Sequence, residues 1–136
     1  NGRAGEEAAL FWFKAHGWKM FKVAPPSRVI GRGASLKVIY TGKGYPDFMG
    51  SELIGTSFKK DLSLWKHPVF RACEVKEAKP CEGDSVPASR LTATQRAFLA
   101  DLPKGTTYVG ILWRDGVFEM FPFIAKGSYK KGMGTR

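Results

Sequence analysis

The chain has 136 residues, enough for one domain with a real core and too few for two. Its 22 Lys and Arg against 12 Asp and Glu leave a net charge of +10, which favours a polyanionic partner, nucleic acid ahead of an anionic membrane surface. No run approaches the roughly 18 apolar residues of a membrane span, and AALFWF, residues 8–13, is too short for a signal-peptide core.

In chain order, GEEAALFWFKA, residues 5–15, sets apolar positions at helical spacing behind acids that suit a first turn, and His16-Gly17 ends the helix. Residues 18–24, WKMFKVA, alternate as a strand does until Pro25-Pro26 breaks the pattern. Residues 27–44, SRVIGRGASLKVIYTGKG, hold two short β-prone runs around Gly-Arg-Gly. Arg28, Arg32, Lys37 and Lys43 charge this segment, which reads as a basic hairpin or arm outside the core. YPDFMG, residues 45–50, leads into the next strand. Ser51 to Pro68 is expected as a short helix or loop carrying Lys59, Lys60 and Lys66. Residues 69–76, VFRACEVK, form a further strand, and residues 77–90, with Pro80, Gly83 and Pro87, a loop. Thr92 suits the N-cap of a second helix, Thr92-x-x-Gln95 fits a capping box, and Pro103 with Gly105 closes the segment. TYVGILWRDGVFEMFPF, residues 107–123, reads as two strands joined at Arg114-Asp115-Gly116. The basic tail KGSYKKGMGTR, residues 126–136, is expected to be flexible. This order predicts one α/β domain over residues 1–136, with a central mixed β-sheet flanked by helices and a protruding basic arm.

Cys73 and Cys81 are too few for a disulfide framework, and with His16 and His67 they match no familiar zinc spacing, so two reduced thiols in an intracellular protein are expected. Trp12, Phe13, Trp18 and Phe21 lie on periodic apolar faces, as core or as contacts between two copies. The chain opens on Asn1 and not Met, so a trimmed start is expected.

Strand alternation in ACEVKEAK, residues 72–79, puts Glu74 and Lys76 on one face and Cys73 and Val75 on the other. A charged pair on a wet face accounts for these two alone. Asp47, however, follows Pro46 at the head of the preceding strand, where a proline is tolerated, and neighbouring strands can bring its carboxylate to Glu74. The first helix carries Glu6 with an apolar stripe behind it, so a third acid can project over the same sheet edge. Three carboxylates and a lysine suit hydrolysis of a phosphodiester, whose anionic backbone repels hydroxide and whose alkoxide leaves poorly. Mg²⁺ answers both difficulties through hard oxygen ligands, and a lysine beside it orients water or neutralises developing charge.

Pro46-Asp47 followed by Glu74-Val75-Lys76, flanked by apolar strand residues, resembles the signature of the PD-(D/E)XK nuclease superfamily and implies its restriction-endonuclease-like fold. Gly2-Arg3-Ala4-Gly5-Glu6, opening an amphipathic helix that ends in His16-Gly17-Trp18, is similar to the start of Hjc-type Holliday junction resolvases. The basic insertion before Asp47 is similar to the protruding arm of RecU-type resolvases. The resemblance implies an endodeoxyribonuclease that resolves four-way junctions in DNA recombination and repair, dependent on Mg²⁺ with Mn²⁺ as a substitute. It implies Asp47 and Glu74 as metal ligands with the backbone carbonyl of Val75, Glu6 acting on the metal directly or through water, and Lys76 activating water. Arg3, Arg28, Arg32, Lys37 and Lys43 would contact DNA phosphates. Two symmetric cuts need two active sites, so a homodimer is implied, with specificity for branched shape and a cytoplasmic location, that of the host for a phage-encoded enzyme.

Two other readings stand beside this one. GYPDF, then EVK, then a helix beginning RLTATQRAFL is also similar to VRR-type nucleases, in which a glutamine of that helix sits near the metal. Gln95 then has two competing duties, capping partner of Thr92 and metal-side residue, and the substrate becomes flaps or other branched DNA. The remaining reading is a non-catalytic DNA-binding domain with Glu74 and Lys76 as a surface ion pair. Glu77 and Lys79 are expected to be solvated in all three.

Overall fold

Five strands build the central sheet of the protein, seen in a computed structural model that describes residues 2–24, 27–40, 44–57 and 64–136. The elements in chain order are α1 (Arg3–Ala15), β1 (Trp18–Lys22), β2 (Ser27–Ile30), β3 (Lys37–Tyr40), β4 (Phe48–Ser57), β5 (Leu64–Glu77), β6 (Ser85–Pro87), α2 (Ala93–Asp101), β7 (Thr107–Leu112), β8 (Phe118–Pro122) and β9 (Ser128–Lys130). The large sheet runs β1-β4-β5-β7-β8, with β5 and β7 parallel and the other neighbours antiparallel. The mixed sheet with its flanking helices is the α/β architecture expected from the sequence. Among the described residues β2 and β3 pair only with each other, antiparallel. No helix among the described residues is long and apolar enough to cross a membrane.

Two apolar layers hold the sheet. On one side α1 presents Gly5, Ala9, Trp12 and Phe13, a stripe at helical spacing. It meets Trp18, Phe48, Cys73, Val75 and Met120. On the other side Leu99 of α2, with Val86, Leu91 and Tyr129, covers Ala72, Val109, Ile111 and Phe121. Burying one such large side chain contributes about 1.5–3 kcal/mol. The alternation of β5 is therefore as expected: Cys73 and Val75 face α1, and the intervening Glu74 belongs to the other side. Trp12, Phe13 and Trp18 are core residues, whereas Phe21 is exposed.

Three segments differ from expectation, the first being the loop expected over residues 77–90, which holds the short strand β6. The stretch from Ser51 to Pro68 is no short helix or loop over its described residues: β4 continues to Ser57, β5 starts at Leu64, and the two stay in register from Phe48↔Cys73 to Ser57↔Leu64. Gly55 and Pro68 look like breakers, yet β1 reaches only to Glu52 and β7 only to Ala72, so both residues lie where the pair has open edges. Lys59 and Lys60 lie outside the described residues. The tail expected to be flexible is folded onto the body: β9 pairs with β6, Tyr129 is buried, and Thr135 exchanges two backbone hydrogen bonds of 2.8 Å with Met120. Its Lys and Gly content suggests a solvated coil, but one tyrosine and the backbone of its last residues find partners in the core.

Candidate active site

Asp47 and Glu74 are brought together by pairing of neighbouring strands. Phe48 stands opposite Cys73, so one step further Asp47 stands opposite Glu74. Pro46 is fully buried before it, and the Asp47 carbonyl accepts a hydrogen bond from Val23 N at 2.9 Å. On its other side Asp47 Oδ2 accepts from Val75 N at 2.9 Å, which fixes the carboxylate against the end of β5. Backbone and proline leave this aspartate little freedom.

Glu74 is 2% exposed, and its Oε2 has no hydrogen-bond partner. Burial, then the hydrogen bond and negative charge of Asp47, push its carboxyl up to about 9, while Lys76 pulls the other way. Asp47 thus lies close enough to Glu74 to oppose its ionisation.

The other residues expected here come from separate elements. A cleft of about 390 Å³ is lined by Glu6, Asp47, Glu74, Val75, Lys76 and Gln95 among others, so all six expected site residues share one cavity. Glu6 sits in the first turn of α1 and is ion-paired with Lys22, the last residue of β1. α1 can start this close to β5 because residue 5 is glycine: a Cβ there would lie 3.0 Å from Glu77 Cγ and 3.1 Å from Val75 Cγ1. Gln95 is both cap and cleft residue, since its Oε1 accepts from Thr92 N at 2.9 Å and its own N donates to Thr92 Oγ1 at 3.1 Å.

Several cleft residues escape a reading of the sequence. Glu77 is not simply solvated: its Oε2 accepts from Gly5 N at 3.1 Å, where an acid meets the unpaired donors of a helix start. Lys79, expected to be solvated, is exposed but also lines the cleft. Arg90 bonds Glu82 and, at 3.1 Å, the Glu77 carbonyl, and Arg114 joins from the β7–β8 turn. Only the alternation of EVKEAK, which puts Glu77 on the α1 side, hinted at any of these. Of the residues expected at DNA, Arg3 is exposed and paired with Glu7 at 3.2 Å. Arg32 is exposed between β2 and β3, and backbone register puts Arg28 and Lys37 on those paired strands. Lys43 lies outside the described residues.

The donor chemistry of the cleft fits a hard divalent cation. The buried, unpartnered Glu74 Oε2 beside the Asp47 carboxylate is a position that a cation would stabilise. Among the described residues no group of three His, Cys, Asp or Glu side chains could hold an ion. Water and substrate oxygens would have to complete the shell of Asp47 and Glu74, an arrangement that Mg²⁺ favours.

No protein-family model matches the chain, and no curated protein matches it. Among solved structures, Archaeoglobus fulgidus Hjc, a Holliday junction resolvase from an archaeal hyperthermophile, is similar in fold, with a TM-score of 0.53 at 17% sequence identity. The likeness covers 97% of this chain and 93% of that one. The chain therefore shares the fold of that structure, a mixed central sheet with flanking helices.

Proposed function

We propose that the chain is a metal-dependent endodeoxyribonuclease that cuts branched DNA, with four-way junctions as its substrate. The observation that carries this reading is the meeting of Asp47 with the buried, half-unpartnered Glu74 in a cleft that also holds Glu6 and Lys76. A divalent cation, Mg²⁺ or in its place Mn²⁺, held by Asp47, Glu74 and the Val75 carbonyl with Glu6 acting through water, would polarise the scissile phosphate and supply hydroxide near neutral pH. Lys76 offers a compact ammonium that orients the attacking water and offsets charge as it gathers on the phosphate. Lys22 restrains Glu6. The excess of positive charge draws in the DNA backbone without reading its bases. In this reading the arm of Arg28, Arg32, Lys37 and Lys43 enters the open centre of the junction, and Arg3 touches a phosphate at the rim. Two copies related by a two-fold axis make the two symmetric cuts.

Cleavage of a panel of synthetic DNAs in Mg²⁺ tests the reading. Wild type should make paired symmetric incisions in four-way junctions and none in EDTA. Asp47→Asn, Glu74→Gln and Lys76→Ala should each slow cutting by about 100-fold or more while junction binding is retained. Wild-type rates in Asp47→Asn would end the proposal and leave a non-catalytic DNA-binding domain. The position of Gln95 at the cleft favours a second reading, a VRR-type nuclease. Preference for flaps over four-way junctions in the same panel would select it.

A further inference from the structure

The cleft is lined by more cations than the proposed chemistry uses, and most of them are already engaged. Lys76 faces Glu74, and Lys79 acts on Glu82. Arg90 is bonded to Glu82 and to the Glu77 carbonyl. Arg114 is exposed, lines the same cleft, and has no hydrogen bond or ion pair among the described residues. Its place follows from the sheet order. β5 lies between β4 and β7, so Asp47 and Arg114 flank it from opposite sides. Glu77 pairs with Leu112 in the parallel ladder, and Ala78 N donates to the Leu112 carbonyl at 2.9 Å. The chain just past Leu112 thus carries Arg114 alongside the residues that follow Glu77.

The turn that presents this guanidinium is built to hold still. Trp113 is buried, its indole Nε1 donates to Glu119 Oε1 at 2.8 Å, and its backbone N donates to Val117 O at 2.8 Å. Gly116, at φ 90°, donates to Trp113 O at 3.0 Å, a conformation that an L side chain rarely adopts. Asp115 accepts from Val117 N at 3.1 Å and is ion-paired with Lys131 of the tail. Every neighbour of Arg114 in the turn is committed to the fold. An arginine without a partner on so fixed a base loses little backbone freedom when it binds an anion, and its planar fork matches phosphate oxygens.

We infer that Arg114 is a phosphate-binding subsite of the cleft, taking a backbone phosphate of the DNA strand on the side of β5 away from Asp47. This rests on the reading that the cleft receives DNA. The full-length wild type, Arg114→Ala and Arg114→Lys are titrated onto a synthetic four-way junction by fluorescence anisotropy over a range of NaCl concentrations. Cleavage of the same junction in Mg²⁺ is followed in parallel. Loss of one phosphate contact in Arg114→Ala lowers the slope of log K against log salt by about 0.9, and Arg114→Lys restores it. Cleavage by Arg114→Ala falls about tenfold or more, while Tm stays at the wild-type value because the side chain has no hydrogen bond or ion pair among the described residues. An unchanged slope in Arg114→Ala overturns the inference whatever the cleavage assay gives. A wild type that cuts nothing, but whose slope drops on Arg114→Ala, keeps the phosphate contact and removes the nuclease reading. A wild type that does not bind the junction overturns both.

Discussion

Glu74 is a carboxyl whose ionisation the fold opposes. Its folded value of about 9 lies above the ordinary 4.5. The protonated form therefore favours folding, fully below the ordinary value, and that contribution is lost as pH rises toward the folded one. Without divalent ions, Tm should fall between pH 5 and pH 8 more steeply in the wild type than in Glu74→Gln. The glutamine variant should be the more stable protein at pH 8 by about 1 kcal/mol or more. Mg²⁺ should raise the wild-type Tm more at pH 8 than at pH 5 and leave Glu74→Gln almost unmoved. Thermal melts at the two pH values check all three, and parallel pH dependences in the two proteins would contradict the assigned cause. At this scale Asp47, Glu74 and Lys76 are legible in the sequence because period-two alternation and the Pro46-Asp47 pair are local patterns. Glu77 is not, since its partner, Gly5 N, is 72 positions away. Arg114 is hidden for the same reason: nothing local marks a turn residue as facing a distant strand end.

Among the elements, α2 was readable because its start is a closed local exchange between Thr92 and Gln95. α1 was readable from its stripe, and the hairpin β2–β3 from its Gly-bounded runs. The β4–β5 ribbon was not. Gly55 and Pro68 usually end a strand, and what permits them here is the shortness of β1 and β7, which a linear string does not display. The hairpin arm sits between β1 and the strand that begins just after Asp47, so both of its roots lie at the Asp47 end of the sheet. Replacing residues 27–44 with a short turn should therefore weaken preference for four-way junctions over linear duplex by about tenfold or more, through lost phosphate contacts. Phosphodiester hydrolysis of bound substrate should change far less. Competition binding and single-turnover cleavage separate the two, and equal losses in both would remove the arm from junction recognition.

Across the whole molecule, the last residues close the structure. Glu119 is fully buried in β8, and its Oε1 accepts from Trp113 Nε1 and from Gly132 N, each at 2.8 Å, while Arg136 stands 3.6 Å from its Oε2. Trp12 Nε1 of α1 donates to Thr135 O at 3.1 Å. The tail therefore joins both faces of the sheet, although composition alone makes it look like a charged coil. Truncation after Lys126 removes a buried tyrosine and strips a buried carboxylate of two partners. It should cost about 3–5 kcal/mol, the scale of losing a large core side chain, seen as a lower urea midpoint. An unchanged midpoint would mean that the tail contributes nothing to the fold.

The protruding half of the β4–β5 pair has one last implication, for how copies of the protein behave at high concentration. Ala72 N points toward β7, where it meets Thr106 O at 2.9 Å, and alternation turns the nitrogen of Pro68 to that same side. Among the described residues no strand pairs with that side of β5 before Ala72, so a foreign strand laid along it finds no donor at Pro68. The proline that disguises the ribbon in the sequence thus guards it against stacking edge to edge into aggregates.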